Sequence, residues 1–188
     1  MKFWTLQRKE VIETVLYNGV YQPEFQRSTY LQALPHLAPL YDLVLDSFNS
    51  VNGAALPGLI FAFLYGDNKS VREFQDVSDF LMAVQQHIDV IESLWKYARE
   101  ADMRIVELDY SENFNPIPID INDFQFLMPP VVFPQPYTMK DFGRLVDNLS
   151  KGLLEPSPFP GWFIQVHLPW IRKENLTSFY DTPLPDFS

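Results

Sequence analysis

A run of seven apolar residues, 59–65, constrains the fold of this 188-residue chain more than any other segment. Pro57 and Gly58 precede the run and a Gly-Asp-Asn turn closes it, so it is shorter than most helices. Since none of its side chains is charged, a strand made from these residues has no face suited to water. We therefore predict a strand that is buried on both faces.

The strongest helical pattern follows this run. Ser70 and Glu73 have the spacing of a capping box, in which two side chains satisfy the first free amides of a helix. Two sets of apolar residues then recur every seven positions, namely Phe74, Leu81, Ile88 and Trp95, and Val77, Val84, Ile91 and Ala98. Such a repeat is typical of a coiled-coil seam, but Phe80 and Leu94 widen it, which favours packing on a sheet. We predict a helix packed on a sheet, and a break near 76–79 stays open.

The first nineteen residues predict a strand, a helix and a turn. Residues 3–7 have strand composition, the pairs at 11–12 and 15–16 have helical spacing, and Gly19 is a helix stop. A strand that begins at Lys2 leaves no room for a signal peptide. No apolar run reaches the roughly 20 residues that a membrane span needs. We expect a cytoplasmic protein without membrane contact.

Strands and helices alternate along the rest of the chain. Further helices are predicted at 40–48 and 138–153, and further strands at 103–110 and 161–168. Between them, residues 115–136 contain six prolines, which exclude a central strand or a long helix there. We find no repeat and no domain boundary. The chain therefore predicts one α+β domain over 1–188, with small mixed sheets packed by two or three helices and a proline-rich loop at 115–136.

The charge and residue types of the chain limit the kinds of partner, metal site and catalytic site that it can have. Twenty-four acidic and fourteen basic side chains give a formal net charge of −10, which disfavours nucleic acid as a partner. The absence of cysteine excludes thiolate ligands and thiol nucleophiles. The three histidines, His36, His87 and His167, lack the spacing of a zinc site, so no metal site is predicted. The sequence has neither a glycine-rich phosphate loop nor a nucleophile elbow, and no catalytic residue is assigned.

Two glutamines interrupt otherwise apolar strands. Gln7 ends the first predicted strand, and Gln165 lies midway along the last. A glutamine in a buried strand needs partners for both ends of its amide, and a ligand in a pocket is one way to supply them. A glutamine at a strand edge, bonded to water or backbone, is the alternative.

The same two strands carry a resemblance to a known family. The order of motifs along nearly the whole chain resembles that of a bacterial and phage family defined as a domain of unknown function. The matching segments are Trp4-Thr5-Leu6-Gln7, Gly19, residues 57–65, Val106-Glu107-Leu108, Asn122-Asp123-Phe124, and Ile164-Gln165 with Arg172-Lys173-Glu174. The activity of that family is not established, so the resemblance implies a fold before it implies a reaction.

More distantly, the strand–helix–glycine opening is similar to folds of the ADP-ribosyltransferase type, which split NAD in a cleft between two small sheets. This resemblance implies that Gln7 contacts the nicotinamide ribose. Such enzymes carry a glutamate near a late strand, where this chain has Gln165, and Trp170 matches the glutamate of the uncharacterised family. A neutral amide cannot supply the charge that stabilises an oxocarbenium-like transition state. The resemblance therefore makes a binding domain a serious competitor to an enzyme.

Two functions follow as expectations. The first is a nucleotide-binding protein that holds a ligand such as NAD near Trp4, Gln7, Arg8 and Gln165, with the two glutamines on adjacent strands beside a pocket. The alternative is a non-enzymatic phage or mobile-element accessory factor that binds a host protein through an exposed apolar patch, at 21–30 or 124–133. Whether the protein is an enzyme, and which oligomer it forms, stay open.

Overall fold

The structure is a computed structural model that describes residues 1–33, 35, 38–66, 71–86, 88–111, 119–120 and 162–182. Its strands are β1 (Lys2–Arg8), β2 (Val20–Tyr21), β3 (Ile60–Gly66), β4 (Val71–Arg72), β5 (Met103–Asp109), β6 (Ile119–Asp120), β7 (Trp162–Leu168), β8 (Ile171–Arg172) and β9 (Leu176–Asp181). Its helices are α1 (Lys9–Asn18), α2 (Thr29–Ala33), α3 (Ala38–Asn52), α4 (Val77–Gln86) and α5 (Ile88–Glu100). The helix predicted at 138–153, and most of the loop predicted at 115–136, lie outside the described residues.

The apolar run forms β3, which lies inside one antiparallel sheet. The described strands of this sheet follow the order β6–β7–β3–β1–β5–β9, β4 also pairs with β3, and β2 pairs separately with β8. Ala62 and Leu64 are buried on one face of β3 and Phe63 on the other, which confirms the strand predicted from the run. The α+β class is confirmed. Every strand pair among the described residues is antiparallel, without the parallel pairs that a mixed sheet would add.

Helices cover both faces of the sheet. Helices α4 and α5 pack on the face that carries Trp4 and Ile105, and the side chains of the apolar stripe that the structure describes lie in this cluster or pack against it. Helix α1 packs on the opposite face, where Val15 lies in one cluster with Phe3. Helix α3 forms a third cluster with Phe25 and the start of β3. The stripe at 74–98 is thus an intramolecular core, as its width predicts.

Helix α4 begins later than the capping box at Ser70 and Glu73 predicts. Asp76 caps it instead, since its carboxylate accepts hydrogen bonds from the amides of Ser78 and Asp79 at 2.9 and 3.0 Å. Val71 and Arg72, earlier in the chain, form β4, whose backbone groups pair with β3 and so are not available to a helix. The predicted helix therefore begins only at Val77, and its division into α4 and α5 lies between Gln86 and Ile88 rather than near 76–79.

Helix α1 ends where the sequence predicts. Gly19 has a φ of 83°, in the left-handed region that glycine adopts without steric cost. Its amide donates a 2.9 Å hydrogen bond to the Val15 carbonyl, and this bond ends the helix.

Among all the helices of the described part of the chain, none has the length and apolar character that crossing a membrane requires.

Candidate functional site

A cavity of about 700 Å³ opens where β1 and β3 separate. The two strands pair at Trp4 and Phe63. Beyond this pair the Thr5 hydroxyl donates a 2.5 Å hydrogen bond to the Phe61 carbonyl. Because the strands are antiparallel, the C-terminal end of β1 lies beside the N-terminal end of β3, and both ends line the cavity. The cavity is large enough for a small-molecule ligand.

Aromatic rings form much of the cavity wall. The edge of Tyr41 meets Phe25 and Phe61 with ring centroids 5.3 and 5.6 Å apart, and Phe25 stacks on Phe61 at 6.1 Å. Tyr30 lies 6.4 Å from Tyr41 and 6.3 Å from Tyr97. These rings come from the segment around α2 and from α3, β3 and α5. Such a wall suits a flat, apolar ring of a ligand.

Backbone contacts hold Phe25 in this wall. The Phe25 amide donates a 2.9 Å hydrogen bond to the Pro57 carbonyl, just before β3. At the next residue, Gly58, an added Cβ atom would lie 2.6 Å from the Pro23 carbonyl oxygen and 3.1 Å from the Phe25 ring. Only a residue without a side chain allows this close approach. The glycine therefore sets how closely the wall segment lies against the start of β3.

Several polar side chains of the cavity, among them Arg8, Gln22 and Glu24, are exposed to solvent and form its mouth. Arg8 is exposed there, and its guanidinium donates a 3.1 Å hydrogen bond to the Tyr97 hydroxyl. This hydrogen bond raises the pKa of Arg8, so the side chain stays positively charged. Glu24 is the single carboxylate among the lining residues that the structure describes, and it pairs with Arg27 at 3.0 Å. The mouth thus offers one cation, Arg8, that is not paired with a carboxylate of the cavity.

Burial controls the ionisation of the cavity tyrosines. Burial raises the pKa of the Tyr41 phenol well above its usual value, and the neighbouring Tyr30 and Tyr97 raise it further. Burial also raises the pKa of Tyr30 and of Tyr21. These hydroxyl groups therefore keep their protons at neutral pH and can donate hydrogen bonds to a ligand.

The raised pKa of Tyr41 predicts a loss of stability in alkali. The folded protein keeps a proton that the unfolded chain releases near pH 10, so the stabilisation is complete below about pH 10 and decreases above it. We expect the free energy of unfolding, measured with urea between about pH 8 and about pH 11, to fall at the upper end. The Tyr41→Phe variant should show a shallower fall. Equally steep curves for both proteins would contradict a buried, protonated Tyr41.

The structure brings together two of the four residues that the sequence places in a site. Gln7 and Arg8 both line the cavity, and the Gln7 amide donates a 2.8 Å hydrogen bond to the Thr5 hydroxyl. Trp4 is not among the lining residues, because it is fully buried under α4 and stacks on Phe80 at 5.4 Å. The fourth residue, Gln165, also lies outside the lining.

Gln165 and Gln7 are separated by the order of the strands. Strand β3 lies between β1 and β7, so the two glutamines are not on adjacent strands as the sequence predicts. Gln165 pairs with Phe63, which pairs with Trp4, so these three residues share one face of the sheet. Gln7 lies three positions from Trp4 and therefore on the other face. Gln165 is buried, with 1% of its surface exposed.

The aromatic wall is the part of the site that the sequence does not reveal. Residues 21–30 suggest an exposed apolar patch for a partner, but Tyr21, Phe25 and Tyr30 line the cavity instead. Only 8% of the Phe25 surface is exposed. The other proposed patch, 124–133, lies outside the described residues. A cluster of aromatic residues before a helix is the one signal in the sequence, and it does not distinguish a surface patch from a cavity wall.

A second cavity of about 630 Å³ lies beside α5, the start of β5 and the end of β9. Its charged groups are largely paired, since Arg104 bonds Asp102 at 2.7 Å and Asp181 at 3.0 Å. Lys96 lies 4.0 Å from Glu100 on the same helix. Its described lining mixes acidic and basic side chains, and Trp95 is its one aromatic residue, so it lacks the aromatic wall of the first cavity. The cavity at the end of β1 is the better candidate site.

The described residues hold no group of three or more His, Asp or Glu side chains placed to bind a metal ion.

The family resemblances inferred from the sequence stay predictions. Comparison of the chain with models of protein families, with curated proteins and with solved structures finds no match in any of the three.

Proposed function

We propose that this protein binds a nucleotide-like ligand, with NAD as the first candidate, in the cavity at the end of β1. The observation that carries the proposal is the position of Arg8, a charged group at the mouth of an aromatic-walled cavity of about 700 Å³. A nucleotide combines a flat ring with a phosphate, and this cavity offers a surface for each. The two resemblances inferred from the sequence point to the same end of β1.

The phosphate belongs at the mouth. A phosphate buried without a partner loses its hydration, and the aromatic wall cannot replace it. Arg8 is exposed and is already held by the Tyr97 hydroxyl, so a guanidinium fork is available to anionic oxygens at the boundary with water. The ring of the ligand then lies against Phe25, Phe61 and Tyr41.

Binding without turnover fits the residues of this cavity best. The reaction of an ADP-ribosyltransferase uses a glutamate to stabilise a positively charged transition state. Glu24 is the carboxylate of the described lining, and its pairing with Arg27 at 3.0 Å satisfies its charge. Gln165 is a neutral amide outside the cavity. We therefore propose a sensor or carrier of the ligand rather than an enzyme that splits it.

Replacing Arg8 with Ala tests this proposal. We expect the affinity for NAD, AMP or ADP-ribose, measured by calorimetry at low salt, to fall about 10- to 100-fold, because a charge-assisted hydrogen bond is lost. Gln7→Ala removes the neighbouring polar group and is measured beside it. Lys9→Ala is the matched control, since Lys9 is an exposed cation one residue along that does not line the cavity. If no nucleotide binds the wild-type protein, or if Lys9→Ala weakens binding as much as Arg8→Ala, the proposal fails.

An accessory protein that binds a host protein is the second candidate. Three apolar side chains close together in the chain are exposed, Leu16 (44%) and Tyr17 (93%) near the end of α1 and Val20 (44%) in β2. Such neighbouring exposed side chains are typical of protein interaction sites. A flat calorimetric response to every nucleotide would favour this second function over the first.

A further inference from the structure

Tyr41 is a buried polar residue whose hydroxyl has no role in the fold. The side chain comes from the first turns of α3 and only 4% of the residue is exposed. Its ring packs edge-on against Phe25 and Phe61, which accounts for the position of the ring but not for the hydroxyl. Within the described residues, no hydrogen bond involves this hydroxyl. The hydroxyl oxygen is not among the fully buried polar atoms of the described residues, so it stays accessible and can donate a hydrogen bond to a ligand.

This accessible hydroxyl belongs to a residue of the cavity wall. Tyr41 lines the cavity, on the same wall as Tyr30 and Tyr97, and Arg8 lies beyond Tyr97 at the mouth. The rings that pack against Tyr41 are those of Phe25, Tyr30 and Phe61. A ligand ring that enters the cavity reaches Tyr41 at its buried end while its charged group stays beside Arg8.

We propose, on the basis of the proposed function, that Tyr41 is a specificity-determining residue that donates a hydrogen bond to an acceptor atom on the buried ring of the ligand. The class of ligand is then an anionic compound whose flat ring carries a nitrogen or carbonyl acceptor, as a nucleobase or nicotinamide does. A plain aryl phosphate has the ring and the anion but lacks the acceptor. A sugar phosphate has the anion alone.

Substitution of the hydroxyl alone tests this inference. We expect Tyr41→Phe to lower the affinity for AMP about tenfold and to leave the affinity for phenyl phosphate unchanged. The thermal midpoint of the free protein should stay the same, since the hydroxyl that is removed makes no hydrogen bond within the fold. Tyr17→Phe makes the same chemical change at a residue that is 93% exposed, and it should alter none of these values.

The outcomes separate this inference from the proposed function. If Tyr41→Phe binds AMP as the wild type does, or loses affinity for AMP and phenyl phosphate equally, the role of Tyr41 is overturned while nucleotide binding stands. A lowered thermal midpoint would instead assign the hydroxyl a structural role and also overturn the inference. If the wild-type protein binds no nucleotide at all, both fail together.

Discussion

Replacing Trp4 with Ala is expected to lower the free energy of unfolding by about 4 kcal/mol, a large part of the stability of a domain of this size. Trp4 is fully buried in the middle of β1. Its indole stacks on Phe80 of α4 at 5.4 Å and on Tyr180 of β9 at 6.2 Å, so it joins the helix layer to the sheet. Removal of the ring leaves a cavity that neighbouring elements cannot fill. Urea unfolding followed by circular dichroism measures the loss.

Trp4→Phe is the matched variant. It keeps an aromatic ring between Phe80 and Tyr180 and removes the indole N–H, which has no hydrogen-bond partner among the described residues. We expect it to cost about 1–2 kcal/mol, clearly less than Trp4→Ala. It should also retain ligand affinity, because Trp4 does not line the cavity. A Trp4→Ala variant as stable as the wild type would contradict the role of Trp4 in the core. A Trp4→Phe variant that folds but loses affinity would show that Trp4 belongs to the binding site.

Replacing Gly58 with Ala is expected to destabilise the protein by about 2 kcal/mol and to weaken ligand binding at the same time. The new Cβ would lie 2.6 Å from the Pro23 carbonyl oxygen and 2.9 Å from its carbon. These are backbone atoms, so the segment that carries Phe25 must move as a whole. Movement of Phe25 displaces the ring that stacks on Phe61, which alters the wall of the cavity. Urea unfolding and calorimetry with AMP measure the two effects.

Gly53→Ala separates the two effects. A Cβ atom at Gly53 meets nothing within 4 Å, but the φ of 59° makes any side chain there strained. We expect a loss of about 1 kcal/mol in stability with unchanged affinity for AMP. An effect of Gly58→Ala on stability alone, with normal affinity, would show that the wall segment does not shape the site.

Local sequence patterns predicted the elements on which this site is built. The uncharged run at 59–65 predicted β3, because a strand without a charged face must be covered on both sides. Gly19 predicted the end of α1, and the width of the stripe at 74–98 predicted packing on a sheet. Each of these predictions depends on residues that are close together in the chain, where side-chain period and backbone freedom act directly.

The predictions from the sequence that are wrong have a common cause. The capping box at Ser70 and Glu73 is a valid local signal, but pairing of β4 with β3 takes the backbone groups that a helix would use. The pairing of Gln7 with Gln165 assumed that β1 and β7 are neighbours, and β3 lies between them. The order of strands depends on contacts between residues far apart in the chain, so neither motif nor spacing contains it.

The sequence by itself determined that this chain forms an α+β fold. It also determined that β3 is buried on both faces, that α1 ends at Gly19, and that a wide apolar helix face lies at 74–98. Hydrophobic period and glycine conformation act over a few residues, so the sequence contains these features. It also identified Gln7 and Arg8 at the end of β1. The tertiary structure alone decided that these two residues border a cavity and that Trp4 and Gln165 do not. The reason is geometric: the separation of β1 from β3 and the meeting of Phe25, Tyr41 and Tyr97 require segments from distant parts of the chain to be packed together.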